Sequence, residues 1–205
     1  MIRTYVTTIP LQGRFDLAVN QYQSPDNAET LQTRFPIIQV IKNTVTSEDE
    51  LKIFAIRSVN GDTARNFELL KEELKSIGID ADASVQELPL PDDQDGKTLV
   101  RLCQTLSDAM PEKTRAYVDI TYGTKTIPLV ELAALACAEA THEELEIGGV
   151  FYGEMKRSNG TSTNCAILHD MTALYHLQGL VGGVHDRASA QMLYQELLWV
   201  NNNDQ

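Results

Sequence analysis

Short apolar runs that are typical of β-strands alternate along the chain with amphipathic helical segments. Strands are predicted at residues 5–9, 51–56, 85–90, 115–121, 147–152 and 165–170. Helices are predicted at residues 35–45, 63–77, 99–110, 127–140 and 189–200. Parallel strands need long crossover connections, which helices usually supply. The alternation therefore predicts an α/β fold with a Rossmann-like, mainly parallel sheet flanked by helices.

Residues 14–32 are polar and show no clear periodicity, so we predict an elaborated loop there. The length of 205 residues suits one α/β domain with a short appendage. The N-terminus lacks the features of a signal peptide, and two glutamates interrupt the longest apolar stretch. Cys103 and Cys137 fall on apolar helical faces, which indicates buried free thiols. We therefore expect a cytoplasmic protein without membrane contact.

The net charge of −12 limits the class of ligand. Proteins that track long DNA or RNA normally carry a basic stripe, and the sequence contains no such cluster. A few well-placed hydrogen-bond donors are nevertheless enough to hold a compact polyanion. The charge therefore argues against long DNA or RNA as a partner and allows a small nucleotide.

A polar turn with the sequence TYGTKT separates the fourth predicted strand from its helix. Ligands of parallel sheets lie beyond the carboxyl ends of the strands, which is where this turn falls. A glycine there lets backbone amides approach a phosphate, and the helix N-terminus and a lysine add positive charge. The candidate ligand-binding residues are Thr121, Tyr122, Gly123, Thr124, Lys125 and Thr126. The alternative is an ordinary turn with capping threonines and a solvated lysine.

The loop after the first predicted strand reaches the same edge of the sheet. Its candidate ligand-binding residues are Thr7, Thr8, Pro10, Gln12, Gly13 and Arg14. Asn60, which begins an Asn-Gly turn after the second strand, is a further candidate ligand-binding residue. An ordinary loop and an ordinary turn are the alternatives for these two segments.

The helix predicted at residues 127–140 has almost no polar face. A helix that is apolar all round is buried on both sides. One side can pack on the sheet, whereas the other needs a second layer. A twofold partner would supply that layer, and the alternative is the chain's own C-terminal segment. We predict a homodimer with this helix at or near the interface.

The segment VDITYGTKTIPLVELAAL resembles the signature of CARF domains, the CRISPR-associated Rossmann folds that sense cyclic oligoadenylates. Asp119, Thr121, Gly123 and Lys125 match the family's turn, whereas Tyr122 departs from the histidine or glycine that is common there. Segments similar to other parts of the family are TYVTTIPLQG, TRFPIIQVIKN, IRSVNGDTARNFELLKEEL and AILHDMTALYHLQGLV. The resemblance implies a CARF-like ligand-binding domain at residues 1–180 and a C-terminal helical extension at residues 181–205.

The resemblance implies two alternative functions in type III CRISPR antiviral signalling, neither of which needs a cofactor or a metal. A ring nuclease would cleave cyclic tetra-adenylate, with Lys125 stabilising the phosphorane and Thr8 or Thr124 orienting the phosphate. A sensor would bind the ring across a dimer and regulate an effector, such as a HEPN ribonuclease, nuclease, protease, TIR or membrane segment, absent from this chain. The third alternative is an unrelated nucleotide-binding or structural α/β protein.

Overall fold

The computed structural model describes residues 1–11, 17–23, 30–59, 63–158 and 161–203. The chain forms two compact units, Met1–Asp170 and Met171–Gln205. The first unit contains an eight-stranded sheet and helices, and the second contains two helices. The predicted ligand-binding domain at residues 1–180 and the predicted C-terminal extension at residues 181–205 stay predictions.

The sheet of the first unit is mixed and mainly parallel. Its strands are β1 (Ile2–Thr8), β2 (Asn20–Gln23), β3 (Gln32–Thr33), β4 (Glu50–Ser58), β5 (Val85–Leu90), β6 (Thr114–Asp119), β7 (Glu146–Ser158) and β8 (Thr161–Asp170). Their order across the sheet is β3-β2-β8-β7-β6-β1-β4-β5. Only the β7–β8 and β2–β3 pairs are antiparallel among the described strands. The predicted Rossmann-like α/β fold is confirmed.

The helices of the first unit connect the parallel strands. They are α1 (Pro36–Thr44), α2 (Thr63–Ser76), α3 (Ala81–Ser84), α4 (Gly96–Ala109) and α5 (Ile127–Thr141). The second unit consists of α6 (Thr172–Gly182) and α7 (Arg187–Asn203). Right-handed crossovers place α1 and α2 on one face of the sheet and α4 and α5 on the other. Accordingly, α1 contacts β1, β6 and β7, while α4 packs against α5.

One hydrophobic cluster lies between the sheet and the α1–α2 layer, and α4 and α5 also contribute buried apolar side chains, such as Leu106 and Leu135. Tyr5 of β1 and Tyr117 of β6 stack in this cluster, with ring centroids 5.0 Å apart and an interplanar angle of 14°. Gly148 of β7 leaves room for the second ring, since a Cβ at that position would lie 2.5 Å from Tyr117 Cζ. The register of β6 and β7 shifts between Ala116 and Tyr117, beside this contact. These side chains fix β1 and β6 next to each other.

The structure corrects the prediction of a loop at residues 14–32. Within this range, β2 pairs in parallel with β8, and Gln32 belongs to β3. Asn20 and Tyr22 of β2 are buried, while Gln21 and Gln23 are exposed. Buried and exposed side chains therefore alternate as in other strands. The sequence did not predict the strand, because three of its four side chains are polar.

Three further expectations need correction. The strand predicted at residues 147–152 continues to Ser158, because β7 pairs with β8 along this length. The short α3 and the whole of α6 were not predicted. Cys137 is exposed and Cys103 is half-buried in the single chain, because the outer side of α5 is left uncovered by the described residues.

Candidate functional site

The helices α1 and α5 lead to strands on opposite sides of the neighbouring pair β1 and β6. From β1 the chain passes through β2 and β3 at the far edge of the sheet and returns through α1 to β4, next to β1, whereas it passes from β6 through α5 to β7. Such a reversal opens a crevice at the carboxyl ends of the two strands, and ligands of open α/β sheets bind there. The turn at residues 121–126 follows β6 at this point, and Ile9, Pro10 and Leu11 follow β1.

The turn after β6 requires glycine at residue 123. Gly123 has a φ of +107°, a backbone conformation that residues other than glycine rarely adopt. A Cβ there would also lie 3.1 Å from Ile127 Cβ and 3.2 Å from Thr8 Cγ2. The Ile127 amide donates to the Thr124 carbonyl at 3.0 Å, which starts α5. The glycine thus brings the backbone of the turn against the end of β1 and the start of α5.

Asp119 connects three segments beneath the turn. Its buried carboxylate accepts hydrogen bonds from Thr7 Oγ1 at 3.1 Å, from the Thr121 amide at 3.0 Å and from Thr121 Oγ1. It also accepts from the backbone of Ile37, in the first turn of α1. Burial raises the pKa of Asp119 to about 6, although these hydrogen bonds oppose the shift. These hydrogen bonds hold the turn, the end of β1 and the start of α1 together.

Thr121 and Gly153 tie the turn to β7. The Gly153 amide donates to Thr121 Oγ1 at 2.7 Å. A Cβ at Gly153 would lie 2.6 Å from Pro36 Cγ, so the glycine lets β7 approach the start of α1 closely. Thr121 therefore receives one hydrogen bond from β7 and donates another to Asp119.

Gln94 holds the other two threonines of the turn. Its Oε1 accepts from Thr124 Oγ1 and from Thr126 Oγ1, each at 2.7 Å, and the two hydroxyls lie 2.9 Å apart. Gln94 belongs to the acidic loop before α4, 30 residues from Thr124. No local pattern in the sequence indicates this contact, and Gln94 was not among the predicted residues.

A second buried carboxyl group lies behind the end of β1. Thr8 Oγ1 donates to Glu131 Oε1 of α5 at 2.8 Å, and both side chains are buried. Burial raises the pKa of Glu131 well above its ordinary value, although the hydrogen bond from Thr8 opposes the shift. Its Oε2 has no hydrogen-bond partner in the described part of the chain. In the sequence, Glu131 stood out only as an interruption of an apolar run.

Lys125 is the free cation of the turn. Its side chain is exposed and makes no ion pair or hydrogen bond with any residue of the described ranges. The hydroxyls of Thr7, Thr8, Thr121, Thr124 and Thr126 are all engaged within the protein. Lys125 is thus the predicted residue of the turn whose polar group remains available to a ligand.

A cavity of about 570 Å³ opens beside the turn. It is lined by Pro10, Leu11, Thr121, Tyr122, Gly123, Tyr152, Gly153, Glu154 and Met155. Four predicted residues are among them, whereas Thr7 and Thr8 lie buried behind its wall. Asn66 Nδ2 of α2 donates to the Pro10 carbonyl at 2.8 Å and fixes the loop after β1. Tyr122 donates its hydroxyl to the Arg34 carbonyl at 2.7 Å, so it belongs to the wall.

The predicted residues Gln12, Gly13, Arg14 and Asn60 lie outside the described residues. The β7 side of the cavity, by contrast, carries residues that the sequence did not single out as site residues. Tyr152 is 40% exposed and stacks on His169 of β8, with centroids 6.2 Å apart. His169 Nε2 and Glu154 Oε2 are 2.8 Å apart. Glu154 lies within β7.

Neither the models of known protein families nor the curated protein sequences include a match to this chain. None of the helices in the described ranges is long and apolar enough to cross a membrane. Among the described side chains, no group of three His, Cys, Asp or Glu residues could hold a metal ion.

Proposed function

We propose that this chain binds a cyclic oligoadenylate, with the tetra-adenylate as the preferred ring, in the crevice between β1 and β6. The observation that carries the proposal is a glycine turn at the switch point of the sheet, with a free lysine beside a cavity of about 570 Å³. The resemblance of residues 118–135 to CARF domains selects this ligand among nucleotides. The ligand is then the second messenger of type III CRISPR defence.

The turn suits a phosphodiester because three sources of positive potential meet there. Gly123 lets the backbone approach closely, the start of α5 carries the partial positive charge of a helix N-terminus, and Lys125 adds a mobile cation. Because the rest of the protein is acidic, with a net charge of −12, a small region of positive potential favours a compact anion over a long one. The bonds of Asp119 and Gln94 hold the turn in place before the ligand arrives.

We further propose that two copies of the chain share one ring. The exposed side of α5 is apolar, and Leu129 on it is 67% exposed. The exposed residues of this side, termed the α5 outer face, are Leu129, Ala133, Ala136, Cys137 and Ala140. Small residues allow two helices to approach closely, and a twofold axis beside α5 would bring two β6 turns together. A ring with repeated nucleotides fits such a symmetric site.

Cleavage of the ring is the second candidate, and Lys125 is the observation that favours it. In that reaction the ribose 2′-hydroxyl attacks the neighbouring phosphorus, the 5′-oxygen leaves with a proton, and a 2′,3′-cyclic phosphate forms. Lys125 is free to stabilise the phosphorane. The hydroxyls of Thr8 and Thr124, the other predicted catalytic residues, are engaged by Glu131 and Gln94. The site therefore supports binding more directly than cleavage, and a non-catalytic sensor is the alternative.

Calorimetry with cyclic tri-, tetra- and hexa-adenylate tests the proposal, with separation of the products after incubation. We expect micromolar or tighter binding of the tetra-adenylate. Lys125→Ala removes one charge-assisted contact per chain, and each contact contributes about 1.5–3 kcal/mol, so the affinity should fall at least about tenfold. If the ring is cleaved, cleavage should fall further than binding, since the phosphorane carries more charge than the bound ring.

Lys42→Ala is the matched control. Lys42 is exposed at the end of α1, at the opposite edge of the sheet, and should leave binding unchanged. Both variants should unfold at the wild-type temperature, because exposed lysines contribute little to stability. Absence of heat with every ring rejects the proposed function. A folded Lys125→Ala protein that binds as tightly as wild type rejects the proposed phosphate contact.

A further inference from the structure

One face of the β7–β8 pair presents three polar or aromatic side chains to the cavity side. Tyr152 and Glu154 lie two residues apart on β7, so they point to the same face of the sheet, and both line the cavity. His169 of β8 lies directly opposite Tyr152 in the antiparallel register. The other face of β7 is closed at Gly153, which packs against Pro36. We refer to Tyr152, Glu154 and His169 as the β7 wall.

The β7 wall carries a negative charge and accepts hydrogen bonds, whereas the turn carries the positive charge of Lys125. The Glu154 carboxylate repels a phosphate and attracts hydrogen-bond donors such as amino groups. The half-exposed Tyr152 ring is backed by His169, with an angle of 19° between the two planes. Its other side is a surface on which a flat heterocycle can stack. A nucleotide with its phosphate at the turn would therefore place its base against the β7 wall.

The pairing of His169 with Glu154 limits how many donors the carboxylate can accept. His169 Nε2 donates to Glu154 Oε2 at 2.8 Å, whereas Glu154 Oε1 has no partner in the described part of the chain. Guanine presents two adjacent donors, which pair best with both oxygens of a carboxylate. Adenine presents a single exocyclic amino group, which needs one oxygen. Cytosine also has one amino group, but its single ring offers less area for stacking.

We propose that Tyr152 and Glu154 recognise the base and select adenine, and that His169 is the positioning residue that leaves Glu154 one free acceptor. The inference rests on the proposed nucleotide ligand and adds the part of the site that sets base specificity. The site then binds two chemical groups at two places: phosphate at Gly123, which lines the cavity next to Lys125 in the turn, and the adenine amino edge at Glu154. A ligand bound in the reverse orientation would place its phosphate against the Glu154 carboxylate, and the two negative charges would repel each other.

The test compares three ring ligands by calorimetry: cyclic tetra-adenylate, cyclic tetraguanylate, and the same ring with purine bases that lack the 6-amino group. Wild type should bind the adenylate ring at least about tenfold more tightly than the ring without amino groups, as for a hydrogen bond to a charged acceptor. Glu154→Ala should reduce this preference to within about twofold. Glu146→Ala, at the other end of β7 and equally charged, should keep the wild-type preference.

Two further variants separate stacking from hydrogen bonding. Tyr152→Ala should weaken binding of all three rings by a similar factor, because stacking does not depend on the amino group. His169→Phe retains a ring behind Tyr152 and releases Glu154 Oε2, so it should improve binding of the guanylate ring relative to the adenylate ring. Thermal unfolding of each variant checks that the fold is retained.

The outcomes distinguish the two levels of the proposal. If wild type binds none of the rings, the proposed function is rejected together with this assignment. If wild type binds the adenylate ring and a folded Glu154→Ala protein keeps its preference for the amino group, the base-recognition role of the β7 wall is overturned while the proposed function stands.

Discussion

Two buried carboxyl groups lie under the candidate site, and both have raised pKa values. Burial raises the pKa of Asp119 to about 6 and the pKa of Glu131 well above its ordinary value. The folded protein therefore holds protons that the unfolded chain releases above about pH 4–5. This contribution to stability is complete below the unfolded pKa values and is lost as the pH rises through the folded ones. Ionisation of these groups thus destabilises the fold.

This linkage predicts a pH dependence that Glu131→Gln should reduce. The free energy of unfolding of the wild type should fall as the pH rises through the raised pKa values of Asp119 and Glu131. Glutamine retains an acceptor for Thr8 and cannot ionise, so the variant should show a smaller fall than the wild type between pH 5 and 8. The free energies follow from urea titrations at several pH values.

Glu139→Gln is the control for that experiment, because Glu139 is exposed on the same helix and should leave the wild-type slope unchanged. A wild-type stability that rises between pH 5 and 8 would contradict the raised pKa values of Asp119 and Glu131.

At the scale of residues, the sequence predicted the glycine turn but not the hydrogen bonds between residues that are far apart in the chain. Gly123 was predicted to let the backbone approach a phosphate, and its φ of +107° shows in addition that the turn itself favours glycine. The bonds from Thr8 to Glu131 and from Thr124 to Gln94 could not be predicted, because they join residues 123 and 30 positions apart. The threonines were predicted as ligand contacts, and in the structure their hydroxyls hold the turn.

At the scale of elements, α5 combines a buried side with an exposed apolar side. Val130, Ala134, Leu135 and Ala138 are buried, while the α5 outer face is exposed in the single chain. Val100 of α4 is also exposed, and α4 packs beside α5. Exposed apolar side chains on these two helices are the observation on which the proposed homodimer rests.

Leu129→Glu should weaken the proposed homodimer and leave the fold intact. A twofold axis brings each α5 outer face against its copy, so the substitution places two carboxylates in one apolar interface. We expect the dissociation constant to rise at least about tenfold, while the stability of the single chain changes by about 0.5 kcal/mol or less, because Leu129 is exposed there. Light scattering at tens of micromolar protein measures the change.

Leu174→Glu, at an exposed leucine of α6, is the matched control. Dissociation by this control alone would place the interface on the second unit, and a wild-type monomer mass with and without ligand would reject the dimer.

The boundaries of the strands show how far local sequence patterns predict the elements. The ends of β5 were predicted correctly, whereas β7 was predicted to end at residue 152, because Gly153 and the polar residues after it conceal a strand held by pairing with β8.

At the scale of the molecule, the position of the crevice follows from the order of the strands. The alternation of strands and helices predicted a parallel sheet, yet it did not determine that β1 lies between β6 and β4. The stacking of Tyr5 on Tyr117 and the parallel registers on both sides of β1 establish that order. Such contacts join distant parts of the sequence, and local periodicity carries no information about them.

The size of the cavity predicts how many chains bind one ring. A volume of about 570 Å³ lies within the range of roughly 300–1,000 Å³ that holds one drug-sized ligand, whereas a cyclic tetra-adenylate contains four nucleotides. One chain can therefore enclose only part of the ring, and two chains related by a twofold axis would enclose opposite parts of it. Calorimetry should give one ring per two chains, and Leu129→Glu should weaken ring binding together with the dimer. A ratio of one ring per chain, or full affinity in a monomeric Leu129→Glu protein, would show that each chain binds its ligand alone.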